Sequence, residues 1–388
     1  MSRTPVLLSL GFRVFFLLGV AHAIAAMGLW LAALQGVSLP FAGLAPTAWH
    51  GHEMVFGFSL AIVAGFLLTA VRNWTGLPTV SGWPLGALAL CWLLPRVLLS
   101  FGGASVLPVA AALDVGFGIG LLVAIGRPIW EKRQARQIGI MSKLSFLVLG
   151  ELLFYAGAAG WLEDGVRWGL YTGVYMIVAL VLTIARRVVA FFVRSVAPDN
   201  PRPAENKWLD RVSLFGFFGL YIVDVFTPWR VVLSALALVL VLVHSVRLWT
   251  WWSPVVARVP LLWVLFLAYA WIIVGFGIHA ASPWLGWPEN AALHAYTAGG
   301  IGSMTLGMVA RVSLGHTGRD VRAVHPFLAV VFGIGAWAAV ARVAVPIGMP
   351  AWSSVGYSLG ASLWLAAFSM LFGWGLPMWI GPRVDGKP

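Results

Sequence analysis

His50, His52 and Glu53, in the stretch TAWHGHEMVFGFSLAIVAGFLLTA (Thr47–Ala70), are the side chains of this sequence best placed to do chemistry. They stand at the mouth of an uncharged apolar run, Met54–Val71, long enough to cross a bilayer as a helix. Polar side chains at the rim of a membrane helix are costly to keep dry and generally serve a site. Residues two apart on a helix point to nearly opposite sides, so a regular helix sends His50 and His52 to different partners. An irregular first turn, which Gly51 permits, would let both pinch one ion. Glu53 follows His50 by three and shares its face, placed to orient that imidazole or to shuttle protons. Neutral imidazole suits copper, and a helix-borne histidine in a dry bundle suits haem iron. The bland alternative is a membrane-surface turn that contains histidine.

The elements that must position these residues are membrane helices. Of 388 residues, 61% are hydrophobic and only 10% charged, against about 25% charged in soluble domains. The single cysteine, Cys91, excludes internal disulfides and thiolate clusters. Hydrophobic runs predict about twelve spans, roughly 12–35, 50–71, 82–102, 106–126, 143–162, 168–191, 208–226, 229–248, 259–282, 290–312, 325–345 and 352–378. The expected fold is a single all-α polytopic domain over 1–388, without a soluble domain or a clear internal repeat. The first apolar run lacks a small-residue cleavage site and reads as a span. The connections 127–142 and 192–207 are the longest, and both read as cytoplasmic loops.

A net charge of +12 would suggest nucleic acid in a soluble protein, but here it follows the positive-inside rule. Most Lys and Arg, among them Arg3, Arg72, Lys132, Arg133, Arg202, Arg319, Arg322 and Lys387, fall on one side of the twelve-span layout. Only Arg167 and Arg230 fall on the other, which predicts both termini in the cytoplasm and no nucleic-acid partner. His50, His52 and Glu53 are then at the outer end, and His294 opens the tenth span at that same end. His316 in LGHTGR falls at the inner end beside Arg311, Arg319 and Arg322. It reads either as an interfacial histidine or as an inner-face site for proton or electron entry.

Arg96 and Arg342 lie within spans, and a bare guanidinium there needs an anion. Bidentate contact with a haem propionate is one solution. Intramembrane pairing with Asp114 and Asp224 is the other. No CxxCH occurs, so any haem is non-covalent. The small-residue run AGGIGSM (Ala298–Met304) admits either a neighbouring helix or a flat macrocycle.

GFRVFFLLGVAHAIAAMGLW, HGHEMVFGFSLAIVAGFLLTAVRNWTG, HAYTAGGIGSMTLGMVARVSLGHTGR and the closing PRVDG together resemble the NnrS family, across nearly the whole chain. His50, His52, Glu53 and Met54 match the first signature; His294, Arg311, His316, Thr317, Gly318 and Arg319 match the second. The chain departs from the resemblance at Phe266 and at Phe154–Tyr155, where relatives often carry histidine. The resemblance implies a twelve-helix protein of the bacterial inner membrane that carries haem and copper. It also ties the chain to nitric oxide, nitrosative stress and denitrification.

The expectation is therefore a haem–copper membrane protein that binds or processes nitric oxide or a similar small gas. Its cofactors are haem b and copper. His50, His52 and His294 are the candidate metal ligands, with His52 assigned to haem and His50 to copper. Arg96 and Arg342 clamp propionates, and Glu53 stands behind a ligand. No docking motif identifies an electron donor. The rivals are a copper-handling permease, whose cation path two buried arginines would hurt, and a gas sensor without turnover.

Overall fold

The computed structural model describes residues 5–197, 206–322 and 325–386. Among them the chain is helical, without strands, and its long helices follow the predicted order. They are α1 Gly11–Leu34, α2 Pro46–Thr75, α3 Trp83–Phe101, α4 Leu107–Glu131, α5 Ile138–Ala158 and α6 Gly165–Val196. α7 Lys207–Phe226, α8 Arg230–Trp251, α9 Pro260–Leu285, α10 (290–316), α11 Phe327–Gly348 and α12 Ser353–Ile380 complete the series.

Ten of these segments are long and apolar enough to cross a membrane. The chain is an all-α, multi-pass membrane protein. The other two predicted spans, α7 and α10, are helical but less apolar. α7 carries Lys207, Asp210, Arg211 and Asp224, and the first half of α10 is rich in Gly, Ser and Thr.

Two expected loops are shorter than predicted. α4 continues to Glu131 and α5 begins at Ile138, so the 127–142 connection reduces to a few residues around one tight turn at Ala135–Gln137. α6 likewise continues to Val196. Lys, Arg, Glu and Gln are good helix formers, so these helices run on past the end of their apolar stretch. The rest of the 192–207 connection, 198–205, lies outside the described residues, as do Arg3, Arg202 and Lys387.

The chain forms two compact units. The first comprises Met1–Ile177, Val309–Val321 and Phe368–Pro388; the second comprises Val178–Met308 and Arg322–Ala367. A repeat that the sequence hides is visible in them. In α2 a regular turn ends at His52 and a π-turn, Glu53–Ser59, follows at once. In α10 a regular turn ends at His294 and a π-turn, Ala295–Ile301, follows at once. π-turns are rare and concentrate at functional sites.

Close helix approach in the first unit is set by glycines, as expected where lipid supplies no hydrophobic drive. On α5, Gly150 and Gly157 meet the backbone of α6 at Gly169 and Gly165. A methyl group on Gly157 would lie 2.3 Å from the Val166 backbone nitrogen. That contact holds Phe154 and Tyr155 of α5 against α2. On α2, Gly65 lets Phe16 of α1 approach: a methyl group there would lie 2.8 Å from the Phe16 ring.

Candidate functional site

In the first unit, five helices each send ionisable side chains to one buried point. α1 supplies His22, α2 His52 and Glu53, α3 Arg96, α4 Asp114, and α5 Glu151 and Tyr155. His52, Glu53, Asp114 and Glu151 are wholly buried. Taking so many polar groups out of water is costly unless they satisfy one another.

Arg96 is the hub. Its Nη1 donates to Glu53 Oε1 at 3.0 Å, and its Nη2 donates to both oxygens of Asp114. Tyr155 Oη donates to Asp114 Oδ2 at 2.6 Å. Gly57, inside the π-turn, makes this approach possible. A methyl group there would lie 2.6 Å from His22 Nε2 and 2.8 Å from Arg96 Nη1. The Gly57 carbonyl accepts from Trp92 Nε1 at 3.0 Å. Ser59 Oγ donates to the Met54 carbonyl at 2.7 Å within the same turn.

Glu53 sits between two imidazoles. His52 Nδ1 lies 3.0 Å from Oε1, and His22 Nε2 lies 2.9 Å from Oε2, off the hydrogen-bond direction. An ionised carboxylate only accepts, so His52 Nδ1 carries the hydrogen, and in the neutral imidazole Nε2 is the nitrogen that offers a lone pair. That Nε2 is buried and without a hydrogen bond; its nearest carboxylate oxygen is Asp114 Oδ2 at 3.7 Å. Around the imidazole stand Phe154, Phe56 and Tyr155, with ring centroids at 4.4, 5.3 and 5.3 Å.

The predicted site residues are dispersed differently from the expectation. His50 and His52 part company, as a regular helical step requires. His50 stacks on Trp30 of α1 with centroids 4.3 Å apart, while His52 faces α5. Glu53 was expected beside His50 but bonds His52 instead, because Arg96 draws the carboxylate into the bundle. The anion that Arg96 needs is supplied twice from within the protein. The small-residue run of α10 is filled by neighbouring side chains: methyls on Gly299, Gly300 and Gly302 would strike Trp271, Ile272 and Trp364. Among the described residues no three His, Cys, Asp or Glu side chains form a ready-made ligand cluster.

His294 and Arg342 belong to the second unit. His294 Nδ1 donates to the Asn290 carbonyl at 2.8 Å, and its Nε2 accepts from Arg342 Nη2 at 3.0 Å. The Arg342 guanidinium lies 4.1 Å over the Tyr357 ring. His316 belongs to the first unit, where its ring packs on Phe12 at 5.7 Å. Its carbonyl accepts from Arg383 Nη1 at 3.1 Å. PRVDG and LGHTGR thus clasp each other, with Arg383 also held by Asp385.

Two features escaped the sequence. Glu151, an acid in mid-span, was a legible signal of this cluster; neither of its oxygens has a hydrogen-bond partner. The other is a polar string in the second unit. His244 lies 3.1 Å from Ser213 Oγ through Nε2 and 2.5 Å from Tyr269 Oη through Nδ1. Arg247 joins Ser213 to Asp210, and Asp210 also pairs with Arg186.

The chain matches the NnrS protein family over residues 6–383 and belongs to that family. None of the curated proteins matches it.

Proposed function

We propose that this NnrS-family membrane protein binds copper and haem b and acts on nitric oxide, in the response to nitrosative stress and in denitrification. Its bias of basic residues supports both termini in the cytoplasm, and the family supports a place in the bacterial inner membrane. Family membership supports the nitric oxide role. One observation supports the metal: His52 presents a buried, unbonded Nε2 while Glu53 fixes its other nitrogen. A carboxylate behind an imidazole fixes the tautomer and raises ligand basicity in metal sites.

The surroundings of His52 fit a single copper ion, with Asp114 Oδ2 the nearest further oxygen. They do not fit a porphyrin, because Phe154, Phe56 and Tyr155 fill the space beside the imidazole. We therefore assign copper to His52, and haem to His294 in the second unit. His294 is only half-buried, and its Nδ1 is anchored to a carbonyl, as ligating histidines are; its Nε2, which accepts from Arg342 Nη2, would have to release that bond to hold iron. Bound haem iron supplies a site for a small gas, and copper supplies a one-electron couple. The protein's own residues do the rest. Glu53 holds the proton on His52 Nδ1, Arg96 and Asp114 hold Glu53, and the aromatic wall keeps water from Nε2.

The test is purified full-length protein assayed for copper and for Soret absorbance, reduced, with and without nitric oxide. His52→Ala should lose copper and keep the Soret band; His294→Ala should do the reverse. Wild-type protein with neither copper nor a Soret band sinks the reading. A product assay on nitric oxide then separates turnover from sensing.

A further inference from the structure

The two π-turn histidines stand in equivalent settings with opposite electrostatics. Each is the last residue before a π-turn, and each gives its Nδ1 hydrogen to an oxygen. Each unit also places one arginine at the site, Arg96 from α3 and Arg342 from α11. Both arginines lie the same distance in sequence before the start of the following helix, Leu107 or Ser353. Counted from those starts, Asp114 of α4 and Gly360 of α12 share one register.

In the first unit the arginine is neutralised by two carboxylates, Glu53 at the head of the π-turn and Asp114 on the next helix. In the second unit the same two places hold Ala295 and Gly360. Gly360 has no side chain, and the helices close up through it: a methyl there would lie 3.1 Å from Arg342 Cβ. Gly356, one turn earlier, makes the same kind of contact with the Ala341 carbonyl and Val345. This pair of glycines sets Tyr357 over the guanidinium. Among the described residues no carboxylate bonds Arg342. Its Nη1 is buried and makes no well-formed hydrogen bond, its Nη2 is spent on the His294 imidazole, and the one further polar side chain among them that acts on the guanidinium is the uncharged Tyr357.

A guanidinium within an apolar span requires a counter-ion. From this we infer that Arg342, with His294 and Tyr357, forms a binding site in the second unit for a singly charged oxyanion of carboxylate or nitrite type. Nη1 would donate to one oxygen, in the role Arg96 plays toward its own carboxylates. Arg342, His294 and Tyr357 are each half-buried, so the site lies close to the protein surface, although Nη1 itself is covered and an anion would have to displace a neighbouring side chain to reach it. The anion comes either free from solution or as the carboxylate of a bound cofactor. The free-anion arm does not depend on any metal being bound; the cofactor arm rests on the haem reading above.

The experiment uses full-length protein in phosphatidylcholine nanodiscs, with the thermal midpoint followed during titration with sodium acetate and sodium nitrite. A free-anion site gives a saturable rise in wild type. Arg342→Gln should weaken the half-saturation about tenfold or more, the cost of one charge-assisted hydrogen bond. Arg342→Lys should recover part of it, and His294→Gln, which leaves the guanidinium, should respond. If a cofactor carboxylate fills the site, wild type ignores both anions and Arg342→Gln lowers the porphyrin content per protein, which Arg342→Lys partly restores. If Arg342→Gln does not fold, Arg342→Lys and His294→Gln carry the comparison. A wild type indifferent to both anions, with porphyrin content unchanged or absent in the Arg342 variants, overturns the inference, as does an equal response in wild type and Arg342→Gln. Porphyrin missing from wild type overturns the haem reading alone and leaves the free-anion arm standing.

Discussion

Arg96 Nη1 and Glu53 Oε1 lie 3.0 Å apart, with the arginine almost wholly buried and the glutamate wholly so. Their pairing fixes where His52 points, because Glu53 also accepts from His52. Arg96 is thus a positioning residue for His52 and a structural counter-ion for Asp114.

Arg96→Met should destabilise the protein strongly. It leaves Asp114 and Glu53 buried without their cation, which typically costs about 3–5 kcal/mol. Arg96→Lys should recover part, because a point charge cannot serve two carboxylates in a fixed fork. Thermal midpoints in one detergent read the order; equal midpoints for wild type and Arg96→Met would refute the role.

Glu53→Gln should lower copper affinity about 10–100-fold, the usual effect of losing the carboxylate behind a ligating imidazole. His50→Ala should leave copper bound, since that ring stacks on Trp30 and faces away from His52. Copper titration of both variants decides between them, and loss of copper in His50→Ala would count against His52 as the ligand.

Gly57→Ala should disturb both stability and copper content. The added methyl would press on His22 Nε2 and Arg96 Nη1 at 2.6 and 2.8 Å. Gly277→Ala is the control: nothing lies within 4 Å of the added methyl. In a helix that change should be neutral or stabilising by about 0.5–1 kcal/mol. Thermal midpoints and copper content of the pair read the contrast.

The clasp between LGHTGR and PRVDG should be structural. Gly318 has φ +80°, and a methyl there would lie 2.7 Å from Asp385 Cγ. Gly318→Ala and Arg383→Ala should lower the thermal midpoint while leaving copper and Soret absorbance per folded protein unchanged. His316→Ala should likewise leave metal content intact; a selective loss of one metal in it would instead mark an inner-face site.

The sequence by itself determined the class of this protein and most of its helices, because apolar runs of bilayer length and the cost of buried charge leave few alternatives. It also singled out His52, Glu53, Arg96, His294 and Arg342, since ionisable side chains beside or within apolar spans are rare enough to mark a site. It named Asp114 as one of two anions open to Arg96. Tertiary structure alone decided who meets whom. His22, Glu151 and Tyr155 reach the Arg96 cluster from helices far apart in the chain, and no periodicity encodes that convergence. The π-turns escaped the sequence because they need no special residue, only one extra residue in a turn. The contrast between the two arginines was hidden for the same reason. Arg96 and Arg342 read alike along the chain, and only the packing of α12 on α11 through Gly360 shows that one has its carboxylates and the other has none among the described residues.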